Sequence, residues 1–151
     1  MTNLNPKVSN PGLEAGREGR NIGGWVNDKS GIATKQLLTD DTMVLELEEG
    51  KRYVICLFYL HLHTLSDWVA AEWGTTVNAD GSGAFTAYTP EFHVDTGNVQ
   101  SGSDPVFMDL GMVPLVLTAE DGGAWACRAQ ANDADATASF GFYGWWEYLE
   151  D

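Results

Sequence analysis

Short apolar segments recur along this chain, and each ends within a few residues at glycine, asparagine, aspartate or serine. In several of them apolar and polar side chains alternate, which is the period of a strand that buries one face. Short strands at regular spacing, with turn residues between them, are typical of sandwiches and barrels. We therefore predict an all-β fold, an antiparallel β-sandwich of jelly-roll type with an extended N-terminal arm.

The predicted strands cover most of the chain after residue 24. They are residues 25–26, 32–38, 42–47, 52–63, 68–73, 84–88, 92–94, 106–110, 114–118, 124–130 and 137–148. A helix competes with them over residues 65–72, where Trp68, Ala71 and Glu72 would suit one or two helical turns. A length of 151 residues with 44% apolar content suits one domain with one core.

Residues 1–21 differ from the rest of the chain. They contain two prolines and three glycines, most of their other residues are polar, and no strand or helix period runs through them. We expect residues 1–21 to form an extended arm and residues 22–151 to form the sandwich domain.

The net charge of −14 is unevenly distributed. Residues 1–52 hold seven of the eight basic residues against eight acidic ones, whereas residues 53–151 hold one basic residue against fourteen acidic ones. So negative a surface repels phosphate backbones, and we expect no nucleic-acid partner. The chain shows neither a membrane-spanning apolar run nor a secretory signal at its start, so we expect a soluble protein made in the cytoplasm, without a membrane partner.

Residues 53–60 are apolar at both alternating sets of positions. A two-layer sandwich buries one face of such a strand, so the other face needs a cover. We predict that further copies of the chain supply it, in a homotrimer. The predicted oligomer interface comprises Tyr53, Ile55, Leu57, Tyr59 and His61. The last strand repeats the pattern, because its alternation places Tyr143 and Trp145 on the face opposite to Phe140 and Phe142.

The arm needs a surface of its own. Because residues 1–52 are nearly neutral, they can approach an acidic neighbour without the repulsion that the rest of the chain would meet. We predict that the arm docks onto a larger partner. The predicted docking residues are Leu4, Pro6, Val8, Leu13, Arg17 and Arg20.

His61 and His63 are two residues apart and therefore share one face of a predicted strand. This spacing could ligate a transition metal if a third ligand, such as His93 or Asp95, came from elsewhere. At the end of an apolar strand such histidines more often form hydrogen bonds, so we predict no metal and no cofactor. Beside a subunit interface they would make assembly pH-sensitive.

Motifs of catalytic centres are missing from the sequence. Residues 78–83 look like a calcium loop, but an EF-hand would need acidic residues where Thr76 and Ala87 stand, so we predict a turn. Neither a nucleophile elbow nor a phosphate-binding glycine loop occurs. Paired carboxylates for glycoside hydrolysis stay open, because the two partners would come from separate strands. We predict that the chain is not an enzyme and has no catalytic residues.

Two cysteines and six tryptophans complete the candidate functional residues. Cys56 and Cys127 lie in predicted strands and could pair with each other, but cytoplasmic redox conditions favour free thiols that pack as small apolar groups. The tryptophans could form a platform on which a sugar ring stacks, although filling a core or an interface is the commoner use of such side chains.

Two segments carry a family resemblance. Residues 42–55 (TMVLELEEGKRYVI) form a strand, a glycine turn and a basic-Tyr-apolar strand. This unit is similar to a hairpin recurrent in jelly-roll virion proteins and in tumour-necrosis-factor-like and C1q-like trimers. The aromatic terminal strand, residues 140–146 (FGFYGWW), is a second partial match. With its small size, arm and acidity, the whole chain resembles the capsid decoration (cement) proteins of tailed bacteriophages.

This resemblance implies a structural virion protein that binds a major capsid protein and stabilises the outside of a phage capsid. It implies a location on the virion surface, reached after assembly in the host cytoplasm. It assigns no binding residue, because the family shares a shape rather than a sequence signature. The alternative function is a carbohydrate- or receptor-binding β-sandwich module, such as a fibre head.

Overall fold

The structure, a computed structural model, describes residues 20–40, 42–95, 106–109 and 114–149, and for 106–109 the backbone alone. These residues form two antiparallel sheets, so the predicted all-β antiparallel sandwich is confirmed. The strands are β1 (Arg20–Lys29), β2 (Gln36–Leu37), β3 (Leu45–Glu46), β4 (Lys51–Leu62), β5 (Trp68–Thr76), β6 (Phe85–Ala87), β7 (Phe92–Asp95), β8 (Val106–Asp109), β9 (Leu115–Leu117), β10 (Ala124–Ala131) and β11 (Ala138–Tyr148).

Each sheet has four positions across its width. Sheet A has the order β1-β11-β4-β8, and β9 pairs with the same edge of β4 as β8. Sheet B has the order β2-β10-β5-β6, with β3 beside β10 and β7 beside β5. The first and last strands, β1 and β11, are therefore neighbours, and the chain passes repeatedly from one sheet to the other.

Aromatic side chains from both sheets fill the core between them. The Phe58 ring of sheet A lies 5.6 Å from the Trp73 ring and 6.0 Å from the Trp125 ring of sheet B, measured between ring centroids. Phe142 meets Trp73 edge-on at 5.6 Å. Burying one such side chain stabilises the fold by about 1.5–3 kcal/mol, so the odd-numbered residues of β5 and β10 fix which face of sheet B is inside.

Strand β5 includes residues for which the sequence also allowed a helix. Val69, Ala71 and Trp73 are all buried in the core, and they are two residues apart. A helix would turn these side chains to different sides, whereas a strand turns all three inward. The central position of β5 between β10 and the β6–β7 edge therefore favours the extended chain.

Strand β4 changes its inward-facing set of residues at Cys56. Ile55 pairs with Gly144 and Leu57 pairs with Tyr143, so Cys56 is an extra residue opposite β11. Such a β-bulge shifts the alternation by one residue. Tyr53 and Ile55 are consequently in the core, at 2% and 0% exposure. Their predicted place on the outer face was wrong.

Beyond the bulge the alternation agrees with the prediction. Leu57, Tyr59 and His61 lie on the outer face of sheet A and are half-buried. Their inward neighbours, Phe58 and Leu60, belong to the core. Three of the five residues predicted for an oligomer interface therefore share one outer surface.

Most of the predicted arm lies outside the described residues. This includes its docking residues Leu4, Pro6, Val8, Leu13 and Arg17. Strand β1 begins at Arg20, and Arg20 and Asn21 pair with Trp146 and Trp145 of β11. The last two residues assigned to the arm thus belong to the sandwich, because β11 extends far enough to pair with them. None of the described segments is a helix long and apolar enough to cross a membrane.

Candidate functional site

The outer face of sheet A carries a group of aromatic and aliphatic side chains on four strands. Alternation along β11 turns Phe140 and Phe142 inward and Tyr143 and Trp145 outward, as predicted. We call the group the aromatic face. It comprises Trp25, Leu57, Tyr59, Val116, Tyr143 and Trp145. Trp25, Tyr143 and Val116 are 44%, 47% and 52% exposed, so the face is open to solvent.

Trp25 and Tyr59 stack on each other at the end of this face that borders His61. Their ring centroids are 4.4 Å apart and their planes are inclined by 26°. Both residues lie opposite Gly141, which separates them in the sheet. A Cβ at Gly141 would come within 2.4 Å of the Trp25 ring, so the glycine leaves the space over which the rings meet. The indole N–H of Trp25 also donates to Asn27 Oδ1 at 2.7 Å.

His61 and His63 extend the row of rings beyond Tyr59. Their ring centroids are 4.3 Å apart, and the Tyr59 hydroxyl lies 3.3 Å from His61 Nδ1. His63 Nε2 lies 2.7 Å from Ser139 Oγ and 3.7 Å from Asp28 Oδ1. His61 lies in β4 and His63 follows the last residue of that strand, and an extended chain places residues two apart on the same side.

A bulge in β1 brings Asp28 to this row. Val26 pairs with Phe140 and Lys29 pairs with Ala138, so two β1 residues face Ser139 alone. Asp28 takes a left-handed conformation there, with φ of 53°, and its backbone N–H donates to Ser139 Oγ at 3.4 Å.

Ser139, His63 and Asp28 do not form a hydrolytic triad. A triad places the carboxylate on one ring nitrogen of the histidine and the serine on the other. Here both groups approach Nε2 of His63. Ser139 is also 2% exposed, so a substrate carbonyl could not reach its hydroxyl. The cluster can hydrogen-bond and carry charge but has no geometry for acyl transfer.

The two additional metal ligands considered from the sequence lie on the other sheet. His93 and Asp95 belong to β7 of sheet B, and the His93 ring stacks on Trp68 at 5.3 Å. Across the described ranges, the structure assembles no group of three histidine, cysteine or carboxylate side chains fit to hold a metal ion.

The residues of the aromatic face carry no formal charge. At one end of the face, Arg52 and Glu147 pair with each other across β4 and β11. At the other end, Asp28 is close to His63. The six residues between them are apolar or aromatic in a chain whose net charge is −14, and at the β8 edge of the face Asp109 occupies the register position opposite Leu57. A contiguous exposed patch of this kind is typical of a contact surface.

The loop over residues 78–83 forms the turn that its sequence predicts. Ser82 donates to Asp80 Oδ1 from its hydroxyl at 2.6 Å and from its backbone N–H at 3.0 Å. These two hydrogen bonds lower the pKa of Asp80. The carboxylate thus stabilises its own turn, and Gly81 and Gly83 supply the positive φ angles that the turn requires.

A carboxylate on the outer face of sheet B is buried among cations. Glu72 lies 3.1 Å from Arg128 and 3.3 Å from Lys35, and Lys35 reaches Glu91 at 3.2 Å. Hydrogen bonds to Glu91 and then to Glu72 raise the pKa of Lys35. Glu72 is 6% exposed, and its two carboxylate oxygens are each bound by one of these cations. Glu72 and Glu91 are therefore members of an ion-pair network that holds the outer face of sheet B together.

The two cysteines lie on different sheets and are not joined by a disulfide bond. Cys127 is fully buried, and this burial raises the pKa of its thiol well above the ordinary value. Cys56 is half-buried at the bulge of β4, where its thiol lies 3.5 Å from the carbonyl oxygen of Tyr143.

Four residues of this surface were not identified from the sequence. Trp25 was counted only among the tryptophans, and Val116, Asp28 and Ser139 were not considered. One sequence signal was present for Trp25, because Gly141 interrupts an otherwise aromatic strand and such a glycine often lies under a ring. The pairing of Asp28 with Ser139 depends on the β1 bulge, and no residue type in the sequence indicates that bulge.

No protein-family model matches the sequence, and no curated protein is significantly similar to it.

Proposed function

We propose that this protein is a non-enzymatic structural protein of a virion. It is a decoration protein that binds a major capsid protein on the outside of a phage capsid and stabilises the shell. It works as a homotrimer whose copies meet through the aromatic face. The uncharged aromatic face on a chain of net charge −14 is the observation that carries this proposal.

Charge favours the aromatic face as the place where copies meet. Two molecules of net charge −14 repel each other, and the repulsion is smallest where the approaching surfaces carry no charge. Burying one large apolar side chain contributes about 1.5–3 kcal/mol before the costs of association. Several such side chains from each copy suffice to overcome those costs. Self-association is also consistent with Tyr143 and Trp145, since aromatic residues are enriched at interfaces.

The strand order supports a jelly roll of the kind found in viral capsids. Counting β2 with β3, β6 with β7 and β8 with β9 gives eight positions along the chain. Sheet A then has the order 1-8-3-6 and sheet B the order 2-7-4-5. Two interleaved Greek keys produce this order in a jelly roll.

The start of β1 supports docking through the N-terminal region. Arg20 and Lys51 both lie over the Trp146 ring, at 6.0 Å and 4.0 Å from its centroid. Arg52 is exposed on the next residue of β4. Three of the eight basic residues therefore gather around the start of β1. Lys51 is paired with Glu48 and Arg52 with Glu147, so this part of the surface is close to neutral and can approach an acidic surface of the capsid protein with little repulsion.

Sedimentation tests the assembly. The wild-type protein should sediment as a trimer at micromolar concentration, and Tyr143→Glu should shift it towards a monomer, because the substitution buries a carboxylate in the interface. Val77→Glu is the matched control, since Val77 is 65% exposed in a turn outside the aromatic face. A wild-type monomer, or equal effects of the two substitutions, would contradict the proposed assembly.

Imaging tests the location. Virus particles purified from a lysate that contains the protein should carry it at regular sites on the outer surface of the shell. Protein lacking residues 1–19 should fold, and it should bind the shell more weakly than the full chain. Equal binding by the shortened protein would contradict docking through the arm, and bare particles would contradict the decoration function.

One observation favours carbohydrate binding as the second candidate. Trp25 is exposed and held in place by Tyr59 and Asn27, which is how a protein prepares a ring for stacking on a sugar. Binding on a glycan array that Trp25→Ala abolishes would establish this function. Trimeric protein that binds no glycan on the array would leave decoration as the better account.

A further inference from the structure

We propose that assembly through the aromatic face is released by acid, and that His61 and His63 are the groups that sense it. This inference rests on the proposed assembly through that face. Histidine is the side chain that gains a proton as the pH falls through about 6.5. The geometry around these two rings makes an added proton unfavourable once the interface has formed.

The first reason is the spacing of the rings. Their centroids are 4.3 Å apart, so two protonated imidazoles would place like charges in near contact. Free in solution, the protein screens that repulsion with water and salt. Inside an interface the screening is lost, and the repulsion between like charges grows.

The second reason is the neighbourhood of the rings. The Tyr59 hydroxyl contacts His61 Nδ1, and Tyr59 stacks on Trp25 in the row of the aromatic face next to His61. An interface that covers Tyr59 and Trp25 therefore also covers the imidazole next to them. Covering a charged group without a partner costs several kcal/mol in general, whereas a neutral imidazole hydrogen-bonded to Tyr59 costs little.

The third reason is the supply of compensating charge. Among the described residues, the titratable groups that face the pair are Asp28 from β1 and Tyr59 from β4, and β11 contributes the uncharged Ser139. Lys29, beside Asp28, is paired with Asp40. Asp28 can balance one positive charge, at His63, and the second charge on His61 has no carboxylate within that set.

The sign of the effect separates this device from a general charge effect. Protonated histidines make the whole molecule less negative, which by itself would tighten association of a chain at −14. The cost of covering charged imidazoles in the interface has the opposite sign and weakens association. Between about pH 7.5 and pH 5.5 nearly all carboxylates stay ionised, so the histidines dominate the change in this range.

The experiment is sedimentation of the full chain across this range. The association constant of the wild-type protein should fall at least about tenfold from about pH 7.5 to about pH 5.5, because assembly then has to expel protons. The double variant His61→Gln, His63→Gln stays neutral and should associate equally at both values. His93→Gln, on sheet B, is the matched control and should keep the wild-type response. Circular dichroism at both pH values should show every variant folded.

The possible results distinguish this inference from the assembly itself. A wild-type oligomer that is unchanged or tighter at about pH 5.5 overturns the inference and leaves the assembly standing. Equal pH responses of the wild type and the double variant also overturn it. A wild-type protein that is monomeric throughout overturns the proposed assembly, and the inference falls with it.

Discussion

Burial gives the two thiols different chemistry. The Cys127 side chain is completely enclosed by the core, and that enclosure, followed by the nearby charge of Glu72, raises the pKa of the thiol. The reactive form of cysteine is the thiolate, so a thiol that stays protonated and covered is inert. Cys56 reaches the surface at the β4 bulge.

A thiol reagent should therefore modify the native protein at Cys56 and leave Cys127 untouched. At about pH 8, mass spectrometry should detect one added group per chain, and a second only after unfolding in denaturant. The folded Cys56→Ser variant should gain no added group. Rapid modification of Cys127 in the folded protein would show that the core opens far more easily than its burial indicates.

The turn at residues 78–83 contributes a pH-dependent interaction. Hydrogen bonds from Ser82 lower the pKa of Asp80 in the folded chain. Asp80 therefore stabilises the fold at pH values above its unfolded pKa of about 3.9, and the contribution is lost as the pH falls through the lower, folded pKa. In Ser82→Ala the pKa should return towards its ordinary value. A carboxyl-carbon NMR titration that gives one midpoint for both proteins would refute this explanation.

At the scale of elements, the β4 bulge determines which side chains meet solvent. Ile55 and Leu57 are both large aliphatic residues two positions apart, and without the bulge they would share one face. The extra residue Cys56 sends Ile55 into the core and leaves Leu57 on the aromatic face. Strand β4 thus contributes core residues both before and after the bulge. After the bulge, its residues alternate between the core and the outer face of sheet A.

Alanine substitutions on either side of the bulge should affect different properties of the protein. Ile55→Ala should lower the free energy of unfolding by about 2–5 kcal/mol, because it leaves a cavity in a fully buried site. Leu57→Ala should change this free energy much less and should weaken self-association. Denaturant unfolding and sedimentation, done on both variants, measure the two effects. Similar losses of stability would mean that Leu57 is also a core residue.

The sequence predicted the strands well because their ends carry turn residues and their interiors are apolar. It could not predict the bulge, because residues 53–60 are apolar at every position and no polar residue marks a change of alternation. Strand β1 extends beyond its predicted residues 25–26 for a related reason. Asn21, Gly23 and Gly24 have weak strand propensity, and β11 supplies the pairing that holds them extended.

The outer surface was predictable only in part. Tyr143 and Trp145 follow from alternation within one strand, which a sequence displays directly. The stack of Trp25 on Tyr59 joins β1 to β4 across Gly141, and it depends on the register of three strands. Register between distant strands is set by packing of the whole sandwich, so the local sequence does not contain it.

At the scale of the whole molecule, like charge opposes every encounter between copies. At −14 per chain, the bodies repel even when their aromatic faces attract. Salt shortens the reach of this repulsion from about 10 Å at 0.1 M to about 3 Å at 1 M. Apolar contact depends much less on salt in this range.

Self-association should therefore tighten as sodium chloride rises from about 0.05 M to about 0.5 M. Sedimentation at fixed protein concentration and about pH 7.5 measures the change. An interface held mainly by ion pairs would weaken instead, since salt screens attraction as well as repulsion. Weakening of that kind would count against the aromatic face and in favour of a charged surface.

The adjacency of β1 and β11 allows the chain to be rejoined in a different order. Arg20 lies opposite Trp146, and opposed residues on neighbouring antiparallel strands are about 5 Å apart. A short linker from Leu149 could therefore lead directly into β1, and new ends could be cut in the exposed turn at residues 132–135. At about 3.3 Å per residue, the 11 residues of β11 would carry those ends roughly 35 Å away. A circular permutant of this kind would present a fused cargo at the opposite end of the sandwich from the cluster around Arg20.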